Sequence, residues 1–419
     1  MMSKKERIKR SLLIIVIMII ACVSIISARA RRERLNKEKE QNVELVGNYN
    51  VDIIKTTFAE TKKENYLISP YNIEIGLNLL REGADGNTKD EIDKVIGNRK
   101  INDMSIKDKL NIANAVFIKD DYKNDVKKDF IKVLDTKYKA DILYDKFETP
   151  EVINNWVKEK TNGMIEKILE QVNKDYVMGL ASALALDVEW VSPFECVNTR
   201  EEEFTKDNNS KMKVEMMHQT YTSGAKYIKN DEVEGIILPY DTDDKKELEF
   251  VAFMPKDGVN NYINNLTEDK LKNITKEYKD ASNKVHVNLS LPRFTYNYSV
   301  KDFIDVLQKM GINDAFSPVA ANFTKMIKID ENVYVGEAIH KTKIELNEKG
   351  TKAAAVTYFG MFKATAMIEK DYEEIDIKFN KPFIYMIRES STGEVLFFGT
   401  VFEPNEWKGE TCSSLDKAN

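Results

Sequence analysis

Few side chains in this 419-residue chain could carry covalent or proton-transfer chemistry. Histidine occurs only at His218, His286 and His340, and cysteine only at Cys22, Cys196 and Cys412. The cysteines stand far apart, which gives neither a disulfide framework nor the paired spacing of a zinc site. A serine hydrolase needs a base beside an activated serine, commonly on a Gly-x-Ser-x-Gly elbow, and the chain has no such elbow. It also lacks a Gly-rich phosphate cradle and a His-Glu-x-x-His helix. Only a triad scattered along the sequence would leave room for an enzyme, and three histidines are little material for one. His340, on an apolar segment, reads as a structural, hydrogen-bonded histidine. No cofactor or metal is expected, and the chain does not read as an enzyme.

What remains is the main chain itself as a reactant. Between the strand-like runs Ile344–Leu346 and Ile375–Phe379 lies a long stretch without proline and with only Gly350 and Gly360. A loop of that length is uncommon and usually functional. Yet Ala353, Ala354, Ala355, Val356, Thr357, Tyr358 and Phe359 favour regular structure. With period two, Thr351, Ala353, Ala355, Thr357, Phe359 and Met361 share one uncharged side. By pattern alone this is an amphipathic strand or helix able to bury one face.

Hydrophobic residues make up 42% and charged residues 32% of the chain, which describes a globular body with a substantial core. Ser69 is placed to cap a helix whose first turn holds Pro70, and Gly83 to Ile92 opens the next helix. Asn111–Phe117 reads as a buried strand, and Ile153–Ile165 as an amphipathic helix closed by Gly163. Leu180–Trp190 has the apolar continuity of a central strand buried on both faces. Lys211–Met217, Gly235–Tyr240, Phe250–Pro255 and Val285–Phe294 follow as strands, Val300–Met310 as a helix ending at Gly311. Phe379–Phe383 and Val395–Val401 supply two late strands. Helices and strands mix without strict alternation, repeats or a linker, so the body from 49 to 404 is α+β.

The Ser69-Pro70 helix start, Gly86-Asn-Thr-Lys89, the Asn111–Phe117 run and Glu348-Lys-Gly350-Thr351 followed by Ala353-Ala354-Ala355 together resemble the serpins, a family of suicide protease inhibitors. The resemblance covers roughly residues 50–404. It implies the serpin fold: mixed and antiparallel sheets, about eight or nine helices, and an exposed reactive-centre loop at about 348–374. It implies a mechanism with no catalytic residue on this chain. A serine protease, or a cysteine protease, attacks the loop and forms an acyl-enzyme. The freed loop then enters the main sheet as a strand and drags the protease with it. Fifteen inserted residues give a travel on the order of 50 Å. The hinge would be Glu348, Gly350, Thr351, Ala353, Ala354, Ala355, Val356 and Thr357. Its inward positions carry no charge or proline to block entry, and Lys352, which departs from the family's usual acidic residue, should face solvent. This favours an inhibitor over a non-inhibitory chaperone, carrier or cell-surface binding protein of the same fold.

The resemblance also implies two polar clusters. The shutter, where the sheet opens, maps onto Ser69, Asn72, Ser182 and His340. The family's second serine and asparagine are exchanged, with Asn72 on the helix and Ser182 on the strand, and the same hydrogen bonds to His340 are expected to be made from the opposite side. The breach maps onto Trp190, Arg293 and Glu348, with Glu348 pairing Arg293. Counting fourteen residues on from Gly350 puts the scissile bond at Ala364–Thr365, which suits an elastase-like target. Lys363–Ala364 is the runner-up and would suit a trypsin-like one; Met367 is more remote. Beyond the cut come about seven residues more than usual, with Glu369, Asp371, Glu373 and Glu374, as a slack tether or a docking site.

Residues 1–34 read as a targeting segment. Lys4, Lys5, Arg7, Lys9 and Arg10 precede the apolar run Leu12–Ala28, and Arg29, Arg31, Arg32 and Arg34 follow it. Three readings stay open: an uncleaved signal-anchor, a lipoprotein signal with Cys22 as the lipidated residue, or a cleaved signal. Each exports the body, secreted or held at a membrane, after a linker at 35–48. From residue 41 onward the formal net charge is −13, which argues against a nucleic-acid partner. The expected partner is the target protease, the expected state a monomer, and 405–419 a flexible polar tail.

Overall fold

The computed structural model describes residues 49–61, 64–97, 101–242, 246–351 and 372–404. All of them fall in the compact unit that begins at Val46. The apolar run 12–28, the tail 405–419, the hinge residues from Ala353 to Thr357 and both candidate scissile bonds lie outside the described residues. Among the described residues no helix is long and apolar enough to cross a membrane.

Eight α-helices are present among the described residues: α1 Tyr49–Phe58, α2 Pro70–Gly83, α3 Gly86–Ile96, α4 Lys128–Tyr138, α5 Glu151–Lys160, α6 Val259–Asn264, α7 Glu268–Asn273 and α8 Phe303–Lys309. The start of α2 follows the local rules. Ser69 is extended, its Oγ accepts from the Asn72 N–H at 3.2 Å, and Pro70 fills the first turn, where no N–H is needed.

Two sheets form the body's base. One has seven strands: β1 Tyr66–Ile68, β18 Val395–Val401, β17 Phe383–Glu389, β10 Leu248–Pro255, β9 Val233–Pro239, β8 Lys226–Lys229 and β11 Lys279–Asp280, in that spatial order. Every residue of β10, β17 and β18 is buried, so these are the runs without apolar-polar alternation. The second has four: β16 Glu373–Lys378, β12 Val285–Pro292, β7 Lys211–Tyr221 and β6 Arg200–Thr205. The run read from sequence as one strand, Val285–Phe294, breaks at Pro292-Arg293. It continues as β13 Phe294–Ser299 in a different sheet, because proline cannot donate to a ladder.

The remaining strands form two groups that share one chain segment. β3 Asp141–Asp145, β2 Leu110–Lys119 and β4 Met178–Leu186 make a three-stranded sheet. β13, β14 Lys341–Leu346, β15 Gly350–Thr351 and β5 Val188–Glu189 make a four-stranded one. β4 runs almost directly into β5, so the groups meet at that end. Away from it no ladder joins β4 to β14. This corrects the expectation that Leu180–Trp190 is buried on both faces: Met178 to Ser182 are only half-buried, and burial is complete only from Ala183 to Leu186.

Two further expectations change. The loop is not exposed from Glu348: Glu348, Gly350 and Thr351 are buried, and at the far end Glu373 and Glu374 already belong to β16. The cysteine spacing gives no disulfide framework, but Cys196 is disulfide-bonded.

Candidate functional site

The gap between β4 and β14 is a slot. Its cavity holds about 970 Å³ and is lined on one side by Met178 to Leu184 and on the other by Asn332 to Ile344. α2 supplies its floor through Asn72, Ile73 and Gly76, and the segment 164–177 flanks its opening. Backbone N–H and C=O groups demand partners, and two strand edges facing each other across a gap form a template for a strand. At ~3.3 Å per residue a strand matching the nine-residue β4 would span roughly 30 Å of it.

One end of the slot is already filled. β15 sits between β14 and β5, with Leu346 opposite Thr351 on one side and Thr351 opposite Val188 on the other. A tight turn makes this possible. The Asn347 N–H donates to the Gly350 carbonyl at 3.0 Å, while Asn347 Oδ1 accepts from the N–H groups of Lys349 (3.0 Å) and Gly350 (3.3 Å). Asparagine first and glycine fourth is a turn signature, a signal present in the sequence but not used above. Glycine is required for a second reason. A Cβ on Gly350 would lie 2.0 Å from the Val188 carbonyl oxygen and 2.7 Å from Glu189 Cα. Thr351 is buried, lines the slot, and its Oγ1 lies 2.6 Å from Tyr240 Oη. Tyr240 in turn stacks on Trp190 with ring centroids 4.6 Å apart.

Trp190, Arg293 and Glu348, placed together by the sequence reading, do meet at this end. Trp190 Nε1–H donates to the Asn347 carbonyl at 3.0 Å, and its backbone N–H donates to that of Lys349 at 2.8 Å. Arg293 Nη1 donates to Glu348 Oε1 at 3.2 Å, and both residues are buried, 3% and 8% exposed. Sequence reasoning missed the other partners. Thr199 Oγ1–H donates to Glu348 Oε1 at 2.7 Å, the Phe194 N–H to the Glu348 carbonyl at 2.8 Å, and Arg293 Nη2 to Glu215 at 3.3 Å. Distant in sequence, they offered no local signal.

Ser69, Asn72, Ser182 and His340 also come together, but not as expected. His340 Nε2 accepts from the Ser69 backbone N–H at 3.1 Å, and Ser69 Oγ–H donates to the Leu396 carbonyl at 2.6 Å. Asn72 and Ser182 close on each other instead: Ser182 Oγ–H donates to Asn72 Oδ1 at 2.6 Å, and Asn72 Nδ2 donates to the Ser182 carbonyl at 3.1 Å. The exchanged residues therefore bond each other rather than remaking the His340 hydrogen bonds from the opposite side. Because the Asn72–Ser182 pair is reciprocal, it should survive a swap. Asn72→Ser or Ser182→Asn alone should each lose about 1 kcal/mol in urea unfolding, and the double variant should regain most of it; additive losses would contradict this geometry.

Burial pushes the His340 pKa from its ordinary 6.5 down to about 3, so the ring is neutral and free to accept at Nε2. The unfolded chain binds this proton below pH 6.5 and the native one does not. Stability should thus fall with pH from 6.5 towards 3, by up to about 1.4 kcal/mol per unit from this group. His340→Gln should flatten that part of a urea-unfolding profile; an unchanged slope would refute it.

A second arrangement has the residue types of a hydrolase. Ser290 Oγ lies 3.0 Å from His218 Nδ1, and His218 Nε2 lies 3.0 Å from Glu202 Oε1. Ser290, however, sits inside the central strand β12, opposite His218 on β7 and Lys378 on β16. Its carbonyl accepts from the Phe379 N–H at 2.9 Å. That backbone is committed to ladders and presents no paired donors for an oxyanion. Lys378, 2.5 Å from Glu202, completes a polar row that ties edge strand β16 across the sheet to β6.

A model of the family described as serpin (serine protease inhibitor) matches residues 44–404. The chain belongs to the serpin family. This serpin is 28% identical over 386 residues to an uncharacterised serpin-like protein of Thermococcus kodakarensis, covering 87% of this chain and 86% of the other. It is 27% identical to human neuroserpin, covering 86% and 91%. Its fold matches the native state of tengpin, a thermophilic serpin, with TM-score 0.73 and 34% identity over 85% of this chain and 92% of tengpin.

Proposed function

We propose that this serpin is a suicide-substrate inhibitor of serine proteases that works by inserting its cut loop into the slot between β4 and β14. The observation that carries this is the slot itself, which no strand of the described residues fills along β4 and which Gly350-Thr351 starts at one end. A strand continuing from Thr351 would pair both open edges and remove the cost of leaving them unmatched. In this reading Trp190, Arg293 and Glu348 hold the start of the hinge, the Asn72–Ser182 pair must part as the strand passes, and Ala353, Ala355 and Thr357 follow Thr351 inward. The cut falls at Ala364–Thr365, with Lys363–Ala364 the runner-up, so the target is elastase-like. The charged, apolar N-terminal segment exports the body and holds or releases it outside the cytoplasm.

Incubation with pancreatic elastase should give a complex that survives boiling in detergent, and mass spectrometry of the released fragment should find Thr365 at its N-terminus. A fragment beginning at Ala364 would move the cut to Lys363. Cleavage by elastase-, trypsin- and chymotrypsin-like enzymes without any stable complex would overturn the inhibitory reading in favour of a non-inhibitory binding protein.

A further inference from the structure

We propose that His218, Glu202 and Lys378 form an acid-sensitive clasp on edge strand β16: a proton on His218 takes over the carboxylate that Lys378 holds and lets the strand lift. Among the described residues β16 has one ladder partner, β12, paired in parallel over Glu373–Lys378. Side-chain rows add to that ladder. In the first, Asn288 Nδ2 donates to Asp376 Oδ1 and Thr220 Oγ1–H to Asn288 Oδ1, each at 2.8 Å. It contains no histidine. In the second, Lys378 reaches across the sheet to Glu202 on β6, at 2.5 Å, and there His218 takes part.

Glu202 is the centre of this second row. Arg200 Nε lies 2.7 Å and His218 Nε2 3.0 Å from its Oε1, while Lys378 Nζ lies against Oε2. Two fixed cations thus already share one carboxylate, and its side chain is only 15% exposed. A third charge, on His218, is crowded by both. Burial, then Arg200, and after them Lys378 hold the His218 pKa below its ordinary 6.5, against the pull of Glu202. The charged groups facing His218 are therefore Arg200 and Glu202 from β6 and Lys378 from β16. From β12 it meets a hydroxyl, Ser290 Oγ, 3.0 Å from Nδ1.

Lifting β16 reverses that balance. Lys378 leaves with the strand, so one positive charge goes from beside His218 and Glu202 loses a partner. Protonated His218 supplies the missing cation through Nε2–H. Its Nδ1–H then donates to Ser290 Oγ, whose own hydroxyl hydrogen rotates away. The lifted arrangement binds a proton that the closed one resists. The clasp therefore holds fully above about pH 6.5 and weakens as the pH falls below it. In the inhibitory reading above, β16 anchors the far end of the loop, so acid would slacken the loop from the end opposite the hinge. That consequence rests on the reading; the clasp does not.

Amide hydrogen–deuterium exchange of the full chain, converted to protection factors to remove the intrinsic effect of pH, tests the clasp. Opening of β16 should rise about fivefold from pH 7.5 to 5.5, within the roughly tenfold per pH unit that one proton allows, while β17 stays protected. His218→Gln should abolish the rise by removing the proton site. Lys378→Met should abolish it too, because no cation is left to exchange, and should already loosen β16 at pH 7.5. His286→Gln is the control. His286 is the other histidine beside β16, opposite Glu374 and stacked on Tyr372 with ring centroids 3.7 Å apart, and its loss should leave the rise intact. Equal protection of β16 at both pH values would overturn the proposal, as would a rise that survives either clasp variant or vanishes in His286→Gln. Complex formation with elastase at pH 7.5 reports on loop insertion separately, so either reading can fail alone.

Discussion

Thr351→Arg should turn the inhibitor into a substrate. Thr351 is 3% exposed, lies between β14 and β5, and its hydroxyl lies 2.6 Å from that of Tyr240. A guanidinium there meets no carboxylate in that pairing and must stay out of the sheet or enter unpaired. A penalty of about 3 kcal/mol would slow insertion ~100-fold, leaving the protease time to hydrolyse the acyl-enzyme. Titration against elastase should then show many molecules cleaved per enzyme inhibited, with cleavage itself unimpaired. Thr351→Val, which keeps the shape and loses one hydrogen bond, should still inhibit. Retention of stoichiometric inhibition by the arginine variant would refute the assignment of Thr351 to the entering strand.

Arg293→Ala should be the most destabilising change near the slot. Its guanidinium is buried and bridges Glu348 and Glu215, of which only Glu348 is itself buried. Removing the cation takes its buried charged partner from the Glu348 carboxylate, to which the Thr199 hydroxyl also donates. Breaking a buried pair from one side costs about 3–5 kcal/mol. Glu348→Ala should cost less, because Arg293 keeps Glu215 at the surface. Urea unfolding of both variants, together with the rate at which each acquires heat resistance, separates lost stability from a released hinge. A loss under about 1 kcal/mol for Arg293→Ala would mean that the pair behaves as surface charges do.

Much of this was legible in the sequence because it is written locally. The Ser69-Pro70 helix start, the alternation of β12 and the apolar runs Phe250–Pro255 and Val395–Phe398 are statements about neighbours a few residues apart. The Arg293–Glu348 pair was found through resemblance, since nothing in the spacing of residues 55 apart announces a contact. The exchange of Asn72 and Ser182 was visible, but its outcome was not. Which polar atom meets which depends on how α2 lies against β4, and there the two side chains satisfy each other while His340 turns to a backbone donor. The half-burial of Met178 to Ser182 was likewise hidden. An apolar run looks the same whether strands flank it on both sides or on one.

The Asn347–Gly350 turn has a kinetic consequence. Forming a new strand pair is slow mainly at its first contact, when chain entropy is spent before any ladder bond is returned. Here the first contact is already made, because Thr351 is in register between Leu346 and Val188. In the insertion proposed above, cutting the loop would release a strand whose first pair is already made. Unhindered hairpin closure takes about 1–10 μs, so the outcome turns on the load being pulled and on the bonds that must part ahead of it. In that mechanism the race against hydrolysis would begin with the search for register already over.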